Sequence, residues 1–117
     1  MIESTQFGQI TIDGITYDHD VVVKRDGTVK KRKKRLSKNV YGTSHIVSLE
    51  EVMSFYEEEV SVLIFGTGQY GRSELSAEAR LFLEENSVSI QLASTPEAIR
   101  IFNQTASPKI GVFHVTC

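Results

Sequence analysis

An α/β fold with an α+β tendency is predicted, in which an N-terminal antiparallel β-hairpin layer packs with a C-terminal βαβαβ unit in a single three-layer domain spanning residues 1–117. Three observations carry it. Ile10, Ile12, Ile15 and Tyr17 alternate with polar residues about Asp13-Gly14, a dipeptide that accepts the positive φ of a tight hairpin turn. The run Val62, Leu63, Ile64, Phe65 is short, continuous and apolar and stops at Gly66, Gly68 and Gly71, as a strand buried on both faces and lying mid-sheet would. From there capped helical stretches alternate with short apolar runs, and a β-α-β-α-β order implies parallel strands joined by right-handed crossovers.

Taken in order, Val21, Val22 and Val23 lead into a second turn signal at Asp26-Gly27. The tract KKRKKR that follows has no apolar face to bury, so it is expected as an edge strand or an extended arm with solvent on both sides. Asn39 to Ser48, with Gly42, Thr43, Ser44 and His45, reads as a loop. Ser48 and Glu51 form a capping box, opening an amphipathic helix whose inward face is Leu49, Val52, Met53, Tyr56 and Val60. Ser76 caps a second helix running to Asn86, with Ala79, Phe82 and Leu83 inward, and Val88 to Leu92 is a strand. Thr95-Pro96-Glu97 combines a cap, a proline at the first helical position and an acid at the positive end of the dipole, so a third helix starts there. Ile99, Ile101 and Phe102 supply its buried side, and Ile110 to Thr116 closes the chain as a strand. No internal repeat is present.

With 40% apolar and 24% charged residues, a chain of 117 residues can bury a core without disulfides or metals. The start MIESTQFGQI has no basic region followed by a long apolar stretch, so no secretory signal is read, and no apolar run approaches the length of a membrane span. The single cysteine, Cys117, excludes an internal disulfide and fits a reducing compartment, so a cytoplasmic location and no membrane partner are expected. The net charge of −2 hides an asymmetry. Nine cations less Asp26 give residues 24–38 a charge of +8, leaving four cations against fourteen carboxylates, −10, for the remainder.

Several residues invite a functional reading. Gly66-x-Gly68-x-x-Gly71 follows a strand, as a dinucleotide fingerprint does, but Arg72 to Leu75 separate it from the next helix cap and no acid stands where the ribose would be held. No cofactor is expected, and a tight turn lining a pocket for a small anion or peptide is the reading kept. Lys30, Lys31, Arg32, Lys33, Lys34 and Arg35 form a candidate anion-binding tract. Without an aromatic residue between 24 and 38 to stack a base, nucleic-acid binding there would be nonspecific, and a solvated edge, or a pole pairing with acids of this chain or of a twin subunit, ranks above it. His45, His114 and Cys117 suggest a metal set or a Cys-His nucleophile, but a strand through 113–117 would point His114 and Cys117 to opposite faces, and no further ligands are supplied. His19 lies in a turn and adds nothing.

The segments GQITIDGITYDHDVVV, Gly42-Thr43-Ser44-His45, IFGTGQYG, Thr95-Pro96-Glu97-Ala98, Phe102-Asn103 and Gly111-Val-Phe-His-Val-Thr-Cys117 span nearly the whole chain. On these the sequence resembles the adipogenesis-associated MTH-type domain family, the closing segment being the most specific. The resemblance implies one compact domain with a β layer set against a β/α unit, and no established reaction or cofactor. Some eukaryotic relatives look like assembly factors for respiratory complex I, and others are linked to adipocyte differentiation. The strongly basic tract and the lack of a mitochondrial presequence depart from that pattern, so complex I assembly is not carried over. The matched positions Thr43, His45, Gly66, Gly68, His114 and Cys117, with Gln69 and Gly71, are the candidate pocket the resemblance implies.

Two function classes follow. A noncatalytic binding or assembly module would present a pocket or contact surface at the glycine turn to a protein partner or small anion, with a homodimer as one form of it. An enzyme would use the same pocket with His45 or His114 as general base, which requires the two imidazoles to converge.

Overall fold

In the computed structural model, which describes residues 1–106 and 108–116, the first three strands form a meander: β1 (Ile2–Gln6), β2 (Gln9–Ile12) and β3 (Ile15–Tyr17). Asp13 and Gly14 turn the second hairpin with φ of 49° and 82°, the mirror-image turn geometry that matches strand twist. Next come β4 (Val21–Val23), β5 (Val29–Lys31), helix α1 (Arg35–Tyr41), β6 (Ile46–Val47), helix α2 (Leu49–Phe55) and β7 (Val62–Gly66). The chain continues through β8 (Glu74–Leu75), α3 (Ala77–Glu85), β9 (Ser89–Ala93), α4 (Thr95–Gln104) and β10 (Lys109–Phe113).

A mixed sheet in the order β5-β4-β10-β7-β9 is the middle layer. β10, β7 and β9 run parallel, as crossovers through α3 and α4 require, while β4 and β5 continue the sheet antiparallel. β7 is flanked on both sides and buried along its whole length, although β10 holds the central position. One face, with Leu63, Phe65, Ile110 and Val112, packs on Val52 and Phe55 of α2 and Ala79 and Leu83 of α3. The other, with Val21, Ile64 and Phe113, packs on Ala98, Ile99 and Phe102 of α4 and on Ile2, Ile10 and Ile12 of the meander.

Local expectations fail in several places. The basic tract is neither arm nor edge throughout: only its start is strand, and Arg35 opens α1, which also replaces the first part of the expected loop. Lys, Arg and Leu are good helix formers, and Gly42, at φ 72°, closes the helix by donating to Lys38 O at 2.9 Å. In α2 the buried residues are Glu51, Val52 and Phe55, whereas Met53 is exposed. Ser48 caps α2 by accepting from Glu51 N at 3.1 Å, but the Glu51 carboxylate turns into the interior, and Ser37 Oγ accepts from Ser48 N in its place. Thr95 does not cap α4; Ser94 precedes that helix, and the closing strand stops at Phe113.

Candidate functional site

Parallel strands deliver their following loops to one edge of the sheet, so the ends of β7, β9 and β10 converge there. The turn after β7 is held from every side. Thr67 N donates to Ala93 O at 2.8 Å, Gly68 N to Thr95 Oγ1 at 3.0 Å, Gln69 N to Thr116 O at 2.7 Å and Ser73 N to Thr67 O at 2.9 Å. Thr95 Oγ1 in turn donates to His114 O at 2.5 Å, so one hydroxyl ties the turn to the end of β10. The amides of Thr67, Gly68, Gln69 and Ser73 are thus spent on the fold. Gly66 is demanded by packing: a Cβ there would lie 2.9 Å from both Phe113 Cδ1 and Thr95 Oγ1. Gly68 and Gly71 adopt φ of 106° and 69°, which the reversal needs. The loop then runs into β8, paired in parallel with β6, before any helix begins.

Beside this turn lies a buried polar centre. Arg32, in the middle of the basic tract, is only 4% exposed. Its Nε and Nη2 grip Glu51 at 2.5 and 3.0 Å, Nη1 donates to Asp20 Oδ2 at 3.0 Å, and Nη2 also donates to Ser44 O at 2.6 Å. Glu51 is fully buried and accepts in addition from Ser37 Oγ, while Asp20 accepts from Val115 N at 2.8 Å. The fork geometry of a guanidinium satisfies two carboxylates and a carbonyl at once. It pins the start of α1, the start of α2 and the end of β10 to one point.

His114 borders the same centre. Its Nδ1 lies 2.8 Å from Ser73 Oγ and 3.3 Å from Arg32 Nη1. A guanidinium only donates, so Nδ1 accepts and the ring proton sits on Nε2, a buried atom with no hydrogen-bond partner among the described residues. Burial, and then the Arg32 charge, push the imidazole down to about 3, against the weaker opposing pull of Asp20. At 3.7 Å from Asp20 Oδ2 it forms no charged pair, since it is neutral. Ser73, Asp20 and Arg32 all address the same ring nitrogen, so the relay of nucleophile, base and orienting acid is not assembled. A base whose conjugate acid has a pKa near 3 is also far from the optimum for proton transfer at neutral pH.

A family model described as a protein of unknown function (DUF498/DUF598) matches residues 2–113. The chain belongs to the DUF498/DUF598 family. The conserved hypothetical protein PH1505 of Pyrococcus horikoshii OT3 is 34% identical over 100% of this chain and 99% of that one, with a TM-score of 0.94. MT938 is 31% identical over 100% and 98%, with a TM-score of 0.83. Xanthomonas campestris XCC1710, 10% identical over 98% and 83% with a TM-score of 0.76, shares the fold alone. No curated protein matches the chain.

In this DUF498/DUF598 domain the expected pocket residues part company. Gly66, Gly68 and His114 are buried, Thr43 and Gln69 are half-buried, and His45 and Gly71 are exposed. The His45 amide donates to Thr43 Oγ1 at 3.2 Å and its carbonyl accepts from Glu74 N at 2.8 Å, so the segment is held by its backbone. Cys117 lies outside the described residues. Of the candidate anion-binding residues, Arg32 faces inward, whereas Lys30, Lys31, Lys33, Lys34 and Arg35 are exposed. Among the described residues no three His, Cys, Asp or Glu side chains converge on a metal, and no helix is long and apolar enough to cross a membrane.

Sequence reasoning passed over Asp20, Ser37 and Ser73 altogether and read Glu51 only as a cap. It also passed over Phe7 and Tyr70. Phe7 sits in the β1–β2 turn and Tyr70 in the glycine turn; they are 57% and 69% exposed, with ring centroids 6.1 Å apart. Both turns are anchored, Gly8 N donating to Val115 O at 2.7 Å and Gln69 Nε2 to Thr5 Oγ1 at 3.0 Å. The one available signal was a large aromatic beside glycine in each turn.

Proposed function

We propose that this chain is a noncatalytic binding or assembly module whose contact surface for a protein partner lies at the glycine turn. The observation that carries the reading is the Phe7–Tyr70 pair, two exposed aromatic side chains brought together on turns whose backbones are already tied down. Aromatic side chains dominate the energetics of protein interfaces, and presenting them on a fixed backbone lowers the ordering cost of binding. The enzyme reading has less support: His114 is packed and neutral, and His45 is exposed and makes no hydrogen bond to it.

A photoreactive phenylalanine analogue at position 70, with one at exposed Leu81 as control, tests this in the native cell. A discrete protein adduct is expected from position 70 alone, lost when Phe7 is changed to serine; an adduct of the chain with itself would identify a second copy as the partner. No adduct, or the same adducts from both positions, would refute the reading.

A further inference from the structure

We infer that the β5 edge of the mixed sheet is a second interaction surface, which takes an extended acidic segment of a partner protein as an added strand. β5 is the last strand on its side of the sheet. Its pairing with β4 alternates. Lys24 N donates to Thr28 O at 2.8 Å and Arg32 N to Asp20 O at 3.1 Å, and Val22 is opposite Lys30, so Thr28, Lys30 and Arg32 turn their backbone groups toward β4. By the antiparallel pattern Val29 and Lys31 turn theirs outward, where a further strand would meet them.

The flank of that edge is positively charged and has an apolar floor. A cleft of about 260 Å³ runs between the sheet and the end of α2, lined by Val22, Phe55, Lys24, Lys30, Lys31 and Lys33. Lys24 is engaged, donating to Phe55 O at 3.2 Å and lying 4.0 Å from Glu57. Lys30, Lys31 and Lys33 make no ion pair among the described residues, and neither do Lys34, just before α1, or Arg35 and Lys38 on it. Edge lysines by themselves serve to keep sheets from pairing. Here the unpaired cations continue past the strand through Lys33 and along α1, where no edge needs protecting.

Charge selects the occupant. A second copy laid edge to edge would set Lys30 and Lys31 against their own equivalents, and like charges facing across strands destabilise the pair. A nucleic acid would find phosphate contacts but no exposed aromatic face in the cleft, since Phe55 is buried, and it could not use the strand hydrogen bonds. An acidic peptide uses both features, with backbone pairing along Val29 and Lys31 and carboxylates at alternate positions reaching Lys30 and Lys33.

The experiment is an anisotropy titration of the full chain with three dye-labelled probes. These are a peptide of alternating glutamate and threonine, the same peptide N-methylated along one edge, and an oligothymidylate of equal charge. The unmodified peptide is expected to bind, and N-methylation and the exposed-site double variant Lys30→Glu/Lys33→Glu are each expected to weaken it by about tenfold or more. The Val29 and Lys31 amide resonances should shift on binding. The Phe7→Ser/Tyr70→Ser variant should bind the peptide unchanged, which separates this surface from the glycine turn. Absence of peptide binding would overturn the inference. Equal affinity for the N-methylated peptide would reduce it to bulk charge attraction and overturn strand addition. Tighter binding of the oligothymidylate would assign the face to nucleic acid in its place.

Discussion

Replacing Arg32 by alanine withdraws the cation that pairs with the fully buried Glu51 and the largely buried Asp20. The substitution abolishes the paired contacts to Glu51 and the bonds to Asp20 and Ser44 O, and leaves carboxylates with no compensating charge. Breaking one partner out of such a buried pair costs about 3–5 kcal/mol. Against a total stability of about 5–15 kcal/mol for a domain, that is a large share. Urea denaturation followed by circular dichroism at neutral pH measures it. Lys31→Ala and Lys33→Ala, exposed neighbours in the same tract, should stay within about 0.5 kcal/mol of the parent. Arg32→Lys should fall between, since an ammonium keeps the charge and loses the fork. Arg32→Met with Glu51→Met should recover much of the loss, because an apolar pair avoids the desolvation that a lone carboxylate suffers. An Arg32→Ala protein within about 1 kcal/mol of the parent would refute the reasoning and return Arg32 to the solvated tract.

Two further outcomes follow from the same region. His114 is held down to about 3 in the fold against an ordinary value of 6.5, so as pH falls the unfolded chain takes the proton first. Its contribution to stability is whole above about pH 6.5 and is lost progressively toward pH 3, by on the order of 2 kcal/mol at about pH 5. The difference between wild type and His114→Gln in denaturant titrations across that window should shrink by this amount, and a constant difference would contradict it. Gly66→Ala should cost about 1–3 kcal/mol, since the new methyl meets Phe113, Thr95 Oγ1 and, at 3.2 Å, the Thr95 backbone. A thermal midpoint unchanged from the parent would show that the turn has slack.

The hairpin turns, the buried β7 strand, the serine caps of α2 and α3 and the order of the parallel unit were all legible, because each rests on local chemistry: turn dipeptides, period-two or continuous apolar runs, and cap hydroxyls. What escaped depends on tertiary partners. Nothing local distinguishes Arg32 from its five cationic neighbours. Its burial follows from strand parity and from the inward turn of Glu51, a residue whose spacing from Ser48 satisfied a capping rule that accounts for its place and not for its carboxylate. The α1 helix was missed because the tract has no apolar face and Asn39 to Ser48 read as a loop. Its anchor is polar instead, the buried Ser37 hydrogen-bonded to Ser48 and Glu51. The glycine turn was singled out as the lining of a pocket. That reading drew on the freedom of glycine, whereas Gly66 answers to the ring of Phe113 and the Thr95 hydroxyl pressed against it.

The buried polar centre holds the edge of the sheet together, and the proposed contact surface lies on the exposed rim beside it. Long-range nitrogen–proton correlation spectra of the His114 imidazole, recorded from about pH 5 to about pH 8, test that arrangement most directly. A neutral ring with its proton on Nε2 throughout is the predicted result. A titration midpoint near the ordinary histidine value would mean an imidazole that trades protons with solvent at working pH, and the noncatalytic reading would fall with it.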